Sequence, residues 1–146
     1  KSVQGVSYTH NNSVEIRPML IKLAVDGWCD SPILGHGFDS FKYLASYVLG
    51  KPWYSHCNYT EMLYNGGIIM FAFYNWIYLK LFIKIKTNNC GSTKYKSFAS
   101  AILICMLIYD YSAVNYEDTF AQVLIAIAFT CISLEEKERI DKRWGK

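Results

Sequence analysis

The chain has 146 residues, a net charge of +3 and 18% charged residues, averages that an ordinary soluble domain would also show. The small net charge gives no reason to expect a nucleic-acid partner. The five cysteines are odd in number and include no Cys-x-x-Cys pair, so neither a disulfide framework nor a metal site is indicated, and no cofactor is expected. The order of apolar and polar residues along the chain is more informative than these averages.

The first part of the chain is polar. Residues 1–16 are rich in Asn, Ser, Thr and Tyr, a composition typical of a loop. A first helix is predicted to begin near Pro18, because proline suits the first turn of a helix. Apolar residues at helical spacing follow, and Asp30-Ser31-Pro32 ends the helix.

A glycine-bearing segment, 33–38, predicts a turn between this helix and a second one. Asp39 is expected to cap the second helix, which Gly50 ends. Both helices are amphipathic and too polar to cross a membrane. Residues 1–62 are therefore predicted to form a loop segment with two short helices outside the bilayer.

Three apolar stretches follow, at about 66–85, 97–114 and 119–134, each near the roughly 20 residues that a helix needs to cross a bilayer. We predict three transmembrane helices in residues 63–146, with Asp110 wetted near the end of the second. A soluble helical bundle is the alternative. In such a bundle, two consecutive helices joined by a turn as short as 115–118 are seldom apolar around their whole circumference.

The charges beside these stretches predict one orientation. Basic residues lie in the loop at 86–96 and in the tail at 135–146, which are expected in the cytoplasm, whereas the turn at 115–118 carries only acidic charge. Residues 1–62 are then extracytoplasmic. Because no signal-peptide pattern directs insertion, we expect further spans of the same protein upstream. The predicted fold class is an all-α integral membrane protein, part of a larger multi-span bundle.

A polar segment just before the first apolar stretch contains the candidate site. If it is helical, His56 and Thr60 lie one turn apart, as do Asn58 and Glu61. Polar side chains at this depth face a cavity or a partner more often than lipid. The pair Gly66-Gly67 would let this end of the span approach another helix closely.

Three motifs occur in order along this part of the chain. They are a helix led by Arg17, then the turn Pro32-Ile33-Leu34-Gly35-His36-Gly37-Phe38, then the segment Ser55-His56-Cys57-Asn58-Tyr59-Thr60-Glu61 running into Asn65-Gly66-Gly67-Ile68. Together they resemble the C-terminal half of the O-antigen ligase/polymerase family, which includes the polymerases of bacterial O-antigen, capsule and exopolysaccharide repeat units. The resemblance implies a multi-pass protein of the bacterial cytoplasmic membrane.

The resemblance implies a metal-independent glycosyltransferase with Arg17 and His56 as its catalytic residues. The donor would be a polyprenyl-diphosphate-linked glycan and the acceptor a second glycan or, in a ligase, lipid A core. An arginine can stabilise charge on the leaving diphosphate, and a histidine can accept the proton of the attacking hydroxyl or contact the phosphate. The segment alone, without the upstream spans, is expected to be inactive.

Five further residues are candidates for substrate binding, and three of them have a simpler alternative. Asn58 and Glu61 can support the site from behind. Tyr59 can stack on a sugar ring or belong to an interfacial aromatic belt. His36 can contact substrate or serve only the turn, and Lys22 can attract an anionic substrate or lie on a solvated helix face.

A second function fits the same sequence. The polar segment of a non-enzymatic transporter or assembly component of polysaccharide export would line a passage instead of a catalytic site. Replacement of His56 separates the two, because a transporter would tolerate it with little loss of polymer.

Overall fold

The computed structural model describes residues 13–87 and 93–145, which form five α-helices. The all-helical class predicted from the sequence is confirmed for these residues. Residues 1–12 of the predicted N-terminal loop lie outside them. The helices are α1 Ser13–Trp28, α2 Phe41–Leu49, α3 Asn58–Thr87, α4 Thr93–Ser112 and α5 Thr119–Arg143.

Four helices have limits different from those predicted. Helix α3 covers Asn58–Thr87 instead of about 66–85, and α4 covers Thr93–Ser112 instead of about 97–114. Helix α1 begins at Ser13, so the predicted start near Pro18 is wrong and the proline lies inside the helix. A proline there removes one backbone donor, and the burial of Leu20 in the next turn helps to hold the helix despite that loss. Helix α5 continues beyond the predicted end of its apolar stretch to Arg143, because the Glu- and Lys-rich tail consists of good helix formers.

The chain divides into two compact units, Lys1–Phe71 with Tyr111–Val114 and Ala72–Asp110 with Asn115–Lys146. In the first unit, α1 and α2 pack against the beginning of α3. Their shared core consists of Leu20, Ala24, Phe41, Ala45 and Tyr64.

The ends of α2 show why it is so short. Gly50 ends it with a left-handed backbone, φ 73°, as the sequence predicts. The prediction that Asp39 caps its beginning is wrong. Asp39 pairs instead with Lys42, and the amide of Phe41 donates to Oδ1 of Asn65, 2.9 Å away on α3. A residue distant in sequence therefore caps α2.

In the second unit, one face of each of three helices is buried in a common core. The buried residues come from α3, α4 and α5 and include Leu81, Leu103 and Ile132. Two helices of the described residues, Asn58–Thr87 and Thr119–Glu138, are long and apolar enough to cross a membrane. Only 17% and 22% of their most apolar windows are buried, so their outer faces are both apolar and exposed. Helix α4, which corresponds to the predicted second span, contains Lys94, Lys96 and Asp110 and is less apolar than these two helices.

Asp110 is fully buried, which contradicts its predicted position at a wet interface. The hydroxyl of Tyr74 lies 3.2 Å from its Oδ1 and 3.3 Å from Oδ1 of Asn115, and it also contacts the hydroxyl of Tyr78 at 3.0 Å. The hydroxyl of Tyr74 thus supplies Oδ1 of the buried carboxylate with a hydrogen-bond partner inside the unit.

Helix α3 is broken at Gly67, where φ is 62° and ψ is −164°. The break separates the amide of Ile68 from the carbonyl of Tyr64, which would bond to each other in a continuous helix. The amide of Ile68 donates to the carbonyl of Pro32 at 2.9 Å, and the carbonyl of Tyr64 accepts from the amide of His36 at 2.9 Å. The segment Pro32–Phe38, here called the glycine turn, thus supplies both partners that the break removes.

The next amide and carbonyl along α3, those of Ile69 and Asn65, also bond to the glycine turn instead of to each other. The amide of Ile69 donates to the carbonyl of Ile33 at 3.4 Å, and the amide of Gly37 donates to the carbonyl of Asn65 at 2.8 Å. A Cβ atom on Gly35 would overlap the backbone at Asn65, so this close approach requires glycine. The glycine turn is therefore fixed by main-chain bonds to the break in α3.

Candidate active site around His56

His56 lies in a tight turn immediately before α3. Its φ of 56° is in the left-handed region, which a non-glycine residue adopts at an energetic cost and seldom without a functional or structural reason. Because α3 begins at Asn58, the prediction that His56 and Thr60 lie one turn apart on a helix is wrong. The histidine belongs to the backbone that enters the helix.

Buried hydrogen bonds hold this turn, Ser55–Cys57, from both sides. Glu61, 1% exposed, accepts the amide of Ser55 on Oε2 at 2.7 Å. The hydroxyl of Ser55 donates to the carbonyl of Cys57 at 2.8 Å and lies 3.3 Å from the amide of Cys57. Thr60 adds a bond from Oγ1 to the same carbonyl at 3.2 Å. These contacts fix the unusual backbone of His56.

Arg17 on α1 is an electrostatic neighbour of His56. Partial burial lowers the pKa of His56 below its ordinary value of 6.5, and the positive charge of Arg17 lowers it further. The Arg17 guanidinium is anchored by a bond from Nη2 to the carbonyl of Ser112 at 2.8 Å. The ring of Trp53 lies 6.4 Å from that of His56. The two residues expected to be catalytic thus lie near each other in the first unit.

This arrangement suits proton transfer beside an anion. A histidine with a lowered pKa is neutral at neutral pH, and a neutral imidazole nitrogen can accept a proton. A guanidinium has five N–H donors, of which Arg17 uses one on the Ser112 carbonyl, and its side chain is exposed. The remaining donors suit the oxygens of a phosphate or diphosphate.

The three other candidates from the same segment are divided between interior and surface. Asn58 is fully buried, as is Glu61, so both lie behind the turn that carries His56. Tyr59 is partly exposed and its ring meets that of Phe71 edge-on, with centroids 6.1 Å apart. Tyr59 is therefore the most exposed of the three, and its substrate role stays a prediction.

His36 and Lys22 lie in different surroundings. Nε2 of His36 is 2.7 Å from the carbonyl of Gly27, to which it donates, and its ring stacks on Tyr64 with centroids 4.5 Å apart. These contacts tie the glycine turn to α1 and α3. Lys22 is exposed on α1. A role in substrate binding stays a prediction for both residues.

Two residues that the sequence reasoning missed organise the site. Ser55 bonds Cys57 through its hydroxyl and Glu61 through its amide, and Asn65 caps α2 with Oδ1 while its carbonyl binds the glycine turn. One signal was present for Asn65, since a polar residue directly before Gly66-Gly67 in an apolar helix needs a specific partner. Ser55 has no such signal, because its bonds to Cys57 depend on the left-handed backbone of His56, which lies between these two residues.

Among the residues that the structure describes, no group of three or more His, Cys, Asp or Glu side chains could hold a metal ion. The chain matches no family model, and comparison with curated proteins and with solved structures finds no similar protein. What bears on function is therefore the chemistry of the site's own residues.

Proposed function

We propose that the chain belongs to a multi-pass protein of a bacterial cytoplasmic membrane, with α3, α4 and α5 as spans. The apolar and largely exposed outer faces of α3 and α5 support this, because a soluble protein would bury such faces. The basic residues at 86–96 and in the tail orient the C-terminus to the cytoplasm. The turn that carries His56 then lies on the extracytoplasmic side, in the segment 1–62.

The site serves glycosyl transfer from a polyprenyl-diphosphate-linked oligosaccharide to a glycan acceptor, as in the polymerases and ligases of surface polysaccharides. One observation carries this proposal: Arg17 and His56 are electrostatic neighbours although they come from separate parts of the chain. The resemblance of the motifs singled out the same two residues. A transporter passage would not require a histidine held in a left-handed backbone beside an arginine.

In the proposed reaction His56 accepts the proton of the acceptor hydroxyl as its oxygen attacks the anomeric carbon. The bond between that carbon and the diphosphate oxygen breaks, and the leaving diphosphate takes the electron pair. Arg17 stabilises the negative charge that develops there. Direct displacement of this kind inverts the anomeric centre. Further spans of the same protein would enclose the site, since Arg17 is exposed in this chain.

The test is the length of the glycan made by cells whose only full-length copy carries His56→Ala. Loss of a general base lowers the rate by about 10²–10⁴-fold, so long ladders on a gel should collapse to single repeat units. Membrane insertion is checked by immunoblot, and Lys51→Gln, an exposed residue outside the site, is the control. Unchanged ladders with an inserted protein would refute the catalytic role and favour a transporter or assembly component.

A further inference from the structure

The second unit contains a groove that has no part in the site around His56. It has a volume of about 400 Å³ and lies between α3 and α5. Its walls are apolar, and two lysines are among its lining residues. The residues that matter here are Trp76, Leu79, Lys80, Ile83, Lys84 and Phe129.

The two lysines are held at defined points of the groove. Nζ of Lys80 lies 5.6 Å from the centre of the Trp76 ring, and Nζ of Lys84 donates to the hydroxyl of Ser133 on α5 at 2.7 Å. Within the described ranges, the structure gives neither lysine an ion pair with a carboxylate. Two cations near the end of a largely apolar helix favour an anion from outside the chain.

We propose that this groove binds one anionic phospholipid of the cytoplasmic leaflet. The phosphate lies between Lys80 and Lys84, and an acyl chain follows the apolar walls formed by Trp76, Ile83 and Phe129. The inference depends on the proposed membrane position of α3 but not on glycosyl transfer.

The surroundings of the groove favour a lipid over an acidic peptide. The neighbouring side chains of Ile77 and Phe82 are 44% and 52% exposed, so the surface around the groove is apolar as well. A bilayer covers such a surface without further cost. The end of α3 that carries the lysines leads into the basic segment 86–96, on the side where anionic headgroups attract Lys and Arg.

The experiment uses the full-length protein in bilayer nanodiscs that contain a photoactivatable lipid, either phosphatidylglycerol or phosphatidylcholine with the same crosslinker. Labelled peptides of α3 and α5 are identified by mass spectrometry. Each lysine near an anionic headgroup contributes roughly a five-fold preference, so Lys80→Gln with Lys84→Gln should lower the preference for phosphatidylglycerol at the groove by about 25-fold.

A second double variant, Lys86→Gln with Lys137→Gln, is the matched control. It removes the same number of charges from exposed positions on α3 and α5, the two helices that form the groove, but outside the groove lining, and should retain the preference. Equal loss in both double variants would mean general surface charge and would overturn the proposal. Equal labelling of the wild type by both lipids would overturn it as well while leaving the membrane position intact. Labelling by neither lipid would refute the membrane position of α3 itself.

Discussion

Substitution of Gly67 tests whether the glycine turn and the break in α3 form one unit. The backbone of Gly67 lies in a region that only glycine adopts readily, and a Cβ atom there would overlap the carbonyl of Ile33. Because that obstacle is backbone, no side-chain rotation relieves it. Gly67→Ala should therefore force the glycine turn away from α3.

The magnitude follows from the contacts that would be lost. Backbone strain at such a position costs about 1–3 kcal/mol. Displacement of the glycine turn also breaks the bonds that Ile68 and Ile69 donate to it, at about 1 kcal/mol each. The free energy of unfolding should fall by about 3–5 kcal/mol in total.

The assay is denaturant unfolding of the chain in detergent micelles, with Gly50→Ala as the matched control. Gly50 also has a positive φ, 73°, but a Cβ atom there would meet nothing within 4 Å. Its substitution carries the strain alone, about 1–2 kcal/mol. If Gly67→Ala destabilised the protein no more than Gly50→Ala, the exchange of hydrogen bonds would not be a source of stability.

Three further predictions concern the site. Arg17→Gln should raise the pKa of His56, because the charge of Arg17 lowers it, although burial still keeps that pKa below 6.5. The midpoint of an NMR titration of the His56 ring should therefore move to higher pH, and an unchanged midpoint would mean that the two residues are not neighbours. Glu61→Ala should abolish long glycan and lower the free energy of unfolding by about 1–3 kcal/mol, because it leaves the buried amide of Ser55 without its acceptor. Glu61→Gln keeps an acceptor oxygen and should retain most of the glycan length and of the stability, whereas equal losses in the two variants would mean that the charge of Glu61 matters instead. Asn65→Ala removes the cap of α2 and should lower the free energy of unfolding, measured with denaturant, by about 1–2 kcal/mol. Asn65→Asp keeps the capping oxygen and should cost less, whereas a residue that served only in packing would not give this order.

Local sequence signals predicted those parts of the fold that depend on neighbouring residues. The apolar stretches were predicted as helices, and Gly50 was correctly predicted as the end of α2, because both follow from side-chain spacing and backbone preference. Asp39 was a reasonable cap by type and position, but the amide it should have capped is taken by Asn65. The predicted position of Asp110 was wrong for a similar reason, since its burial depends on a tyrosine hydroxyl group from another helix.

The site shows the same division between local and distant causes. The resemblance of short motifs named His56 and Arg17, but it could not give the left-handed backbone of His56, which depends on Glu61 holding the turn from inside α3. Nor could spacing along the chain reveal that the glycine turn supplies the hydrogen bonds missing at Gly67. The second feature joins the glycine turn to the beginning of α3, two segments that are separate in sequence, whereas the first depends on the helical turn that follows His56. Because the same stretch of α3 holds the His56 turn and caps α2, a change at Asn65 or Gly67 should disturb the site without touching a catalytic residue.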